Sequence, residues 1–94
     1  MQHIEVLAFH ALVRGRVQGV GFRYSAVREA RRLGVSGWVK NTKEGHVETW
    51  AEGSAENLEQ FLGWLHSGPP RSRVDTVSKT ETSPRGYNEF FVAH

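Results

Sequence analysis

The chain contains no cysteine. Disulfides, thiolate nucleophiles and cysteine-ligated metals are excluded together, and a reducing cytoplasm is the expected setting. There is also no apolar run long enough to cross a bilayer. His3, Glu5, His10 and Arg14 interrupt the first part of the chain, so neither a secretory leader nor a membrane partner is expected. The net charge is only +2, too small to argue for nucleic acid as a partner. Several catalytic spacings are missing as well. The histidines at 3, 10, 46, 66 and 94 form no HExxH or paired-ligand pattern and read as surface or edge residues, with no metal expected. Ser25 lies within a helical pattern without a nucleophile elbow. No Gly-Lys-Ser/Thr follows the glycines, so ATP has no Walker loop to sit in. Glu44, Glu48 and Glu52 read as exposed hairpin charges rather than an acid–base pair.

What is present begins with aromatics: five Phe, three Trp and two Tyr in 94 residues, enough for one small core without staples. The whole chain, 1–94, reads as a single domain, with no internal repeat, linker or low-complexity segment. The most informative stretch is Gly15-Arg16-Val17-Gln18-Gly19-Val20-Gly21-Phe22-Arg23-Tyr24, which is rich in glycine and free of carboxylates. Glycines allow positive φ, so successive N–H groups can turn toward one point. A helix starting at Phe22 would add its unpaired N–H groups and positive dipole end. A tight strand-to-helix turn would need the same glycines, and both readings stand at this point. Between Arg14 and Arg32 there are six arginines (14, 16, 23, 28, 31, 32) against one acid, Glu29. Most of them suit a solvated helix face, and their field would still draw a small anion.

In chain order, Leu7 to Arg14 alternates as a strand. Phe22, Ala26, Ala30 and Leu33 recur at helical spacing, with Gly34 as the C-terminal cap. Val35–Asn41 and His46–Glu52 read as strands joined through Gly45. Parity requires odd residues to pair with odd; with Asn41 opposite Val47, Trp38 faces Trp50 on the outer side. Ser54 caps a second helix with the stripe Leu58, Phe61, Leu62, Leu65, which Gly68-Pro69-Pro70 ends. Arg73–Thr82 and Tyr87–Ala93 are the last strands, expected as a hairpin-like pair about Ser83-Pro84-Arg85-Gly86. The order β-α-β-β-α-β predicts an α+β, ferredoxin-like split βαβ sandwich: an antiparallel sheet with two helices on one face.

Arg23, at the second position of the first helix, can reach back over the loop, and its fork can grip two phosphate oxygens. Asn41, at the end of the second strand, reads equally as a turn cap or a site group. These two stretches, the first running to Arg23 and the second Gly37-Trp38-Val39-Lys40-Asn41, resemble the signature pair of the acylphosphatase family. The resemblance runs from about Leu7 to the C-terminus and includes element order and length. The ending Phe90-Phe91-Val92-Ala93-His94 departs from the tyrosine or arginine finish of many members.

The resemblance implies hydrolysis of carboxyl-phosphate mixed anhydrides to carboxylate and inorganic phosphate, without cofactor or metal. It also implies a phosphoryl group held by the N–H groups of Arg16, Val17, Gln18, Gly19 and Val20 with Arg23, and water oriented by Asn41. The expected partners are a small acyl phosphate and inorganic phosphate as product and competitor; the expected state is a monomer. A competing class is a non-catalytic RNA- or anion-binding module on the same scaffold, for which Trp50 on the open face offers a stacking platform. Against it, strand three lacks the Lys/Arg-Gly-aromatic string. A longer-chain regulatory or transferase-associated domain is a further alternative, disfavoured by a free-standing length of 94 residues.

Overall fold

A computed structural model describes residues 4–94. His3, read above as a surface histidine, lies outside the described residues. The elements follow in the order β1 (Leu7–Arg16), α1 (Phe22–Leu33), β2 (Ser36–Asn41), β3 (Val47–Gly53), α2 (Ala55–Ser67), β4 (Arg73–Thr82) and β5 (Phe90–Val92). They build one five-stranded sheet, ordered β4-β1-β3-β2-β5. β1 thus runs two residues further than its alternation suggests, past a register shift at Arg14/Gly15 where it pairs with β4.

The core forms where the odd residues of β1 and β3 meet the helix stripes. Phe9, Ala11, Val13, Val39, Val47 and Ala51 are buried beneath Phe22, Ala26 and Ala30 of α1 and Leu58, Phe61 and Leu65 of α2. Phe61 is central: it stacks on Phe9 at 6.5 Å and meets Phe90 edge-on at 5.5 Å. Truncating such a residue to alanine costs about 3–5 kcal/mol. The helix ends are those the side chains dictate. Ser54 Oγ accepts the Asn57 N–H at 3.2 Å, and Gly34 closes α1 in the left-handed conformation at φ 72°. The β2–β3 register also follows parity, with Trp38 opposite Trp50 and Asn41 opposite Val47.

Two expectations are corrected at the end of the chain. β4 and β5 are not a hairpin: they occupy opposite edges of the sheet. The sheet is also not wholly antiparallel, because β5 runs parallel to β2. The reason is topological. The chain leaves β4 at the end where β2 begins, crosses that end of the sheet past β3, and enters β5 in the direction of β2. Four inter-strand steps span about 19 Å, within reach of the segment from Ser83 to Glu89 at about 3.3 Å per residue.

Glu52 holds that crossing, and it is buried rather than the exposed hairpin charge expected. Its carboxylate accepts the backbone N–H groups of Arg85 (2.6 Å), Gly86 (3.1 Å) and Tyr87 (3.1 Å), and Nε1–H of Trp50 at 2.8 Å. The Arg85 guanidinium lies 4.2 Å from the Trp50 ring centroid. Trp50 is therefore only 6% exposed and offers no open stacking platform.

Candidate active site

The site is built where β1 ends and α1 begins. Val17 is 1% exposed, and its side chain pins the start of the loop into the core. Gly19 (φ 72°) and Gly21 (φ 78°) then take left-handed conformations with nothing within 4 Å of a would-be Cβ. Backbone geometry, not space, demands glycine there. Gly15 is different: a Cβ would lie 2.1 Å from the Arg73 carbonyl oxygen, so it serves close packing against β4. Gly21 is the N-cap of α1 and supplies no side-chain cap, and the first turn carries no acidic residue. Among the described residues, nothing accepts from the N–H groups of residues 18 to 24. The result is a row of free donors at the positive end of a helix.

Arg23 stands half-buried at the second position of α1, outside every ion pair among the described residues. Arg32, by contrast, pairs with Glu29 one turn earlier, which raises its pKa first through that hydrogen bond and then through the charge itself. Arg28 lies 5.8 Å from the Tyr24 ring centroid. Asn41 ends β2, and its Oδ1 is buried without a hydrogen-bond partner among the described residues. Val17, Gly19, Gly21, Arg23 and Asn41 together line one cavity of about 570 Å³.

The remaining expected residues, Arg16, Gln18 and Val20, do not line this cavity. Arg16 is exposed at the end of β1, opposite Arg73. Val20 packs against the core. Gln18 turns its side chain away, and Nε2 donates to the Thr42 and His46 carbonyls at 2.9 Å each. The amide thereby ties the loop to the β2–β3 hairpin directly after Asn41, a role its position in the motif did not reveal. Outside the signature, α1 contributes Tyr24, Val27 and Arg31 and the C-terminal segment contributes Val92 and His94 to the same cavity. Helical spacing could have found Val27 and Arg31, which fall on the stripe of Arg23, whereas the β5 wall was hidden by the expected hairpin. A second cavity, about 480 Å³ between α2 and the β1–β4 edge, has Phe9, Leu58 and Leu62 in its lining and brings no comparable donors together.

A glycine loop rich in free N–H donors, an unpaired arginine and an asparagine on the neighbouring strand are what phosphoryl chemistry requires. The acylphosphatase family model matches residues 9–92. The chain belongs to the acylphosphatase family. It is 51% identical over 83 residues to an acylphosphatase of Thermococcus kodakarensis, covering 88% of this chain and 91% of that one. It is 46% identical to an acylphosphatase of Paraburkholderia xenovorans, covering 99% and 94%. The crystal structure of acylphosphatase from Bacillus subtilis superposes with a TM-score of 0.91 at 42% identity, covering 94% of this chain and 99% of that one. The protein is an enzyme of this family that hydrolyses acyl phosphates, and the binding-module alternative finds no support.

Proposed function

We propose that the loop from Arg16 to Val20 and Arg23 hold the phosphoryl group of the substrate and that Asn41 orients the attacking water. One observation carries this reading: Arg23 and Asn41, from separate elements, line one cavity with a loop whose N–H groups from Gln18 onward are free. The donors suit the three phosphoryl oxygens, and Arg23 adds a charge-assisted fork. Asn41 lines the same cavity, and its amide can both donate to and accept from a water. The water oxygen bonds to phosphorus as the bond from phosphorus to the acyl oxygen breaks. The leaving carboxylate keeps that electron pair, and one water proton passes to a phosphoryl oxygen. The products are a carboxylate and inorganic phosphate.

Positioning and charge stabilisation carry such a step, and a good leaving group removes the need for a protein base. The reading includes no metal or cofactor. It also takes residues 1–94 as one catalytic domain, acting as a monomer in the cytoplasm without nucleic-acid or membrane partners. A chain free of cysteine suits that compartment.

The test is hydrolysis of benzoyl phosphate, with and without inorganic phosphate. Competitive inhibition by phosphate is expected, and Arg23→Ala lowers kcat/KM by about 10²–10³-fold, the scale of one preorganised donor. Near-normal turnover by Arg23→Ala would overturn the assignment.

A further inference from the structure

We infer that the groove leading from the phosphoryl site selects acyl phosphates whose acyl group ends in a second anionic group, and that Arg31 reads that end. The inference rests on the phosphoryl assignment above and adds the class of substrate.

The cavity extends well past Arg23 and Asn41. It continues between α1 and β5, where Val27 and Val92 form apolar walls and Arg31 closes the lining. Both valines are partly buried against the core, so their positions are fixed by packing. Arg23, Val27 and Arg31 are spaced four residues apart and form one stripe of α1. Arg31 Cα stands about 12 Å along the axis from Arg23 Cα. Arg31 lines both this groove and the adjoining cavity that Phe90 lines, so its side chain lies between the two. An acyl chain of four carbons places its far end about 6 Å from phosphorus, taking five bonds at the pitch of an extended chain. That leaves the remaining span to the arginine side chain.

The Arg31 head is also positioned. Its Nη2 donates to the Phe90 carbonyl at 3.2 Å, which sets the guanidinium beside β5 and leaves other N–H donors for a ligand. Arg31 forms no ion pair among the described residues. Glu89 lines the adjoining cavity on the far side of Arg31 without pairing to it. No Asp or Glu side chain lines the groove itself. An apolar stem between Val27 and Val92 with a cation at its end matches a short aliphatic acyl group bearing a terminal carboxylate.

Succinyl phosphate and butyryl phosphate test this directly, because they differ only by carboxylate against methyl at the far end. At low ionic strength, kcat/KM is expected to favour succinyl phosphate by about two- to fivefold, the scale of one exposed charge contact, chiefly through KM. Arg31→Gln brings the ratio of the two substrates to about one, and Arg31→Lys leaves it between. The ratio cancels any general loss from releasing Phe90. Arg32→Gln removes the same charge one residue on, away from the groove, and keeps the wild-type ratio. A wild-type ratio near or below one, or a ratio that survives Arg31→Gln, overturns the inference while hydrolysis of both substrates leaves the phosphoryl assignment standing. Failure to hydrolyse either substrate overturns both.

Discussion

Two polar side chains face the same cavity with different chemistry. A guanidinium donates a planar fork, which suits two oxygens of one phosphoryl group, whereas an amide both donates and accepts, which suits a water. Kinetics therefore separate the two proposed roles. Asn41→Ala is expected to lower kcat by about 10²-fold while inorganic phosphate inhibits as strongly as before. A collapse of phosphate affinity with kcat retained would make Asn41 a ligand instead. Gln18 makes a subtler case. Its amide bonds to Thr42 and His46 carbonyls that already accept from Gly45 and Thr42 N–H groups, so its removal leaves neither carbonyl bare. Two net hydrogen bonds are worth about 1–2 kcal/mol, and Gln18→Ala should lose that much in urea denaturation. It should also lose turnover, because the loop and Asn41 are no longer held in register. Full activity in Gln18→Ala would remove the tethering role. That Arg23 and Asn41 would share one cavity was legible from the motif pair, and for Arg23 from its charge beside the loop as well. The Gln18 amide was not, since its partners lie on a hairpin more than twenty residues away.

The glycines of the loop look alike in the sequence and differ in what surrounds them. Gly15→Ala drives a Cβ into the backbone of β4, 2.1 Å from Arg73 O and 2.8 Å from Asp75 N. Strained φ and overpacking together should cost roughly 2–4 kcal/mol and loosen the β1–β4 register. Gly19→Ala meets open space and pays only for its left-handed backbone, about 1–2 kcal/mol. It should nonetheless weaken phosphate inhibition more than Gly15→Ala does, because relaxing that φ turns N–H donors away. Denaturation and phosphate competition on the two variants give opposite rank orders if this holds, and the same rank order in both assays refutes it. The same contrast explains what could be read of the elements. Both helices and the β2–β3 register follow from periodicity, caps and parity, all of which are local. The destination of β5 is not local. Ser-Pro-Arg-Gly is good turn chemistry, and only the edge on which β5 lands distinguishes a hairpin from a crossing.

At the scale of the whole molecule, the glycine loop lies at one end of the sheet and the crossing segment at the other, and β5 connects their fates. β5 is short, setting Phe90, Phe91 and Val92 beside β2, yet it contributes Phe90 to the core and Val92 to the groove. Its approach is fixed by the Glu52 carboxylate. Burial alone would raise the pKa of Glu52, but the backbone N–H of Arg85, Nε1–H of Trp50 and the N–H groups of Tyr87 and Gly86 outweigh it, so the net shift is downward. A lowered carboxyl pKa means that the unfolded chain binds the proton more readily. The stability that Glu52 contributes is thus fully present above the unfolded glutamate value of about 4.3 and is lost as pH falls through the folded one. Glu52→Gln replaces one acceptor oxygen with a donor facing backbone N–H groups. It should cost about 1–3 kcal/mol at neutral pH and flatten the acid limb of the stability profile. Urea denaturation of both proteins from pH 7 down to the acid range measures the difference. The gap between them should narrow as Glu52 of the wild type takes up its proton, and acyl phosphate turnover should fall along the same limb as β5 loosens. A gap that stays constant with pH would show that the Glu52 charge does not hold the crossing.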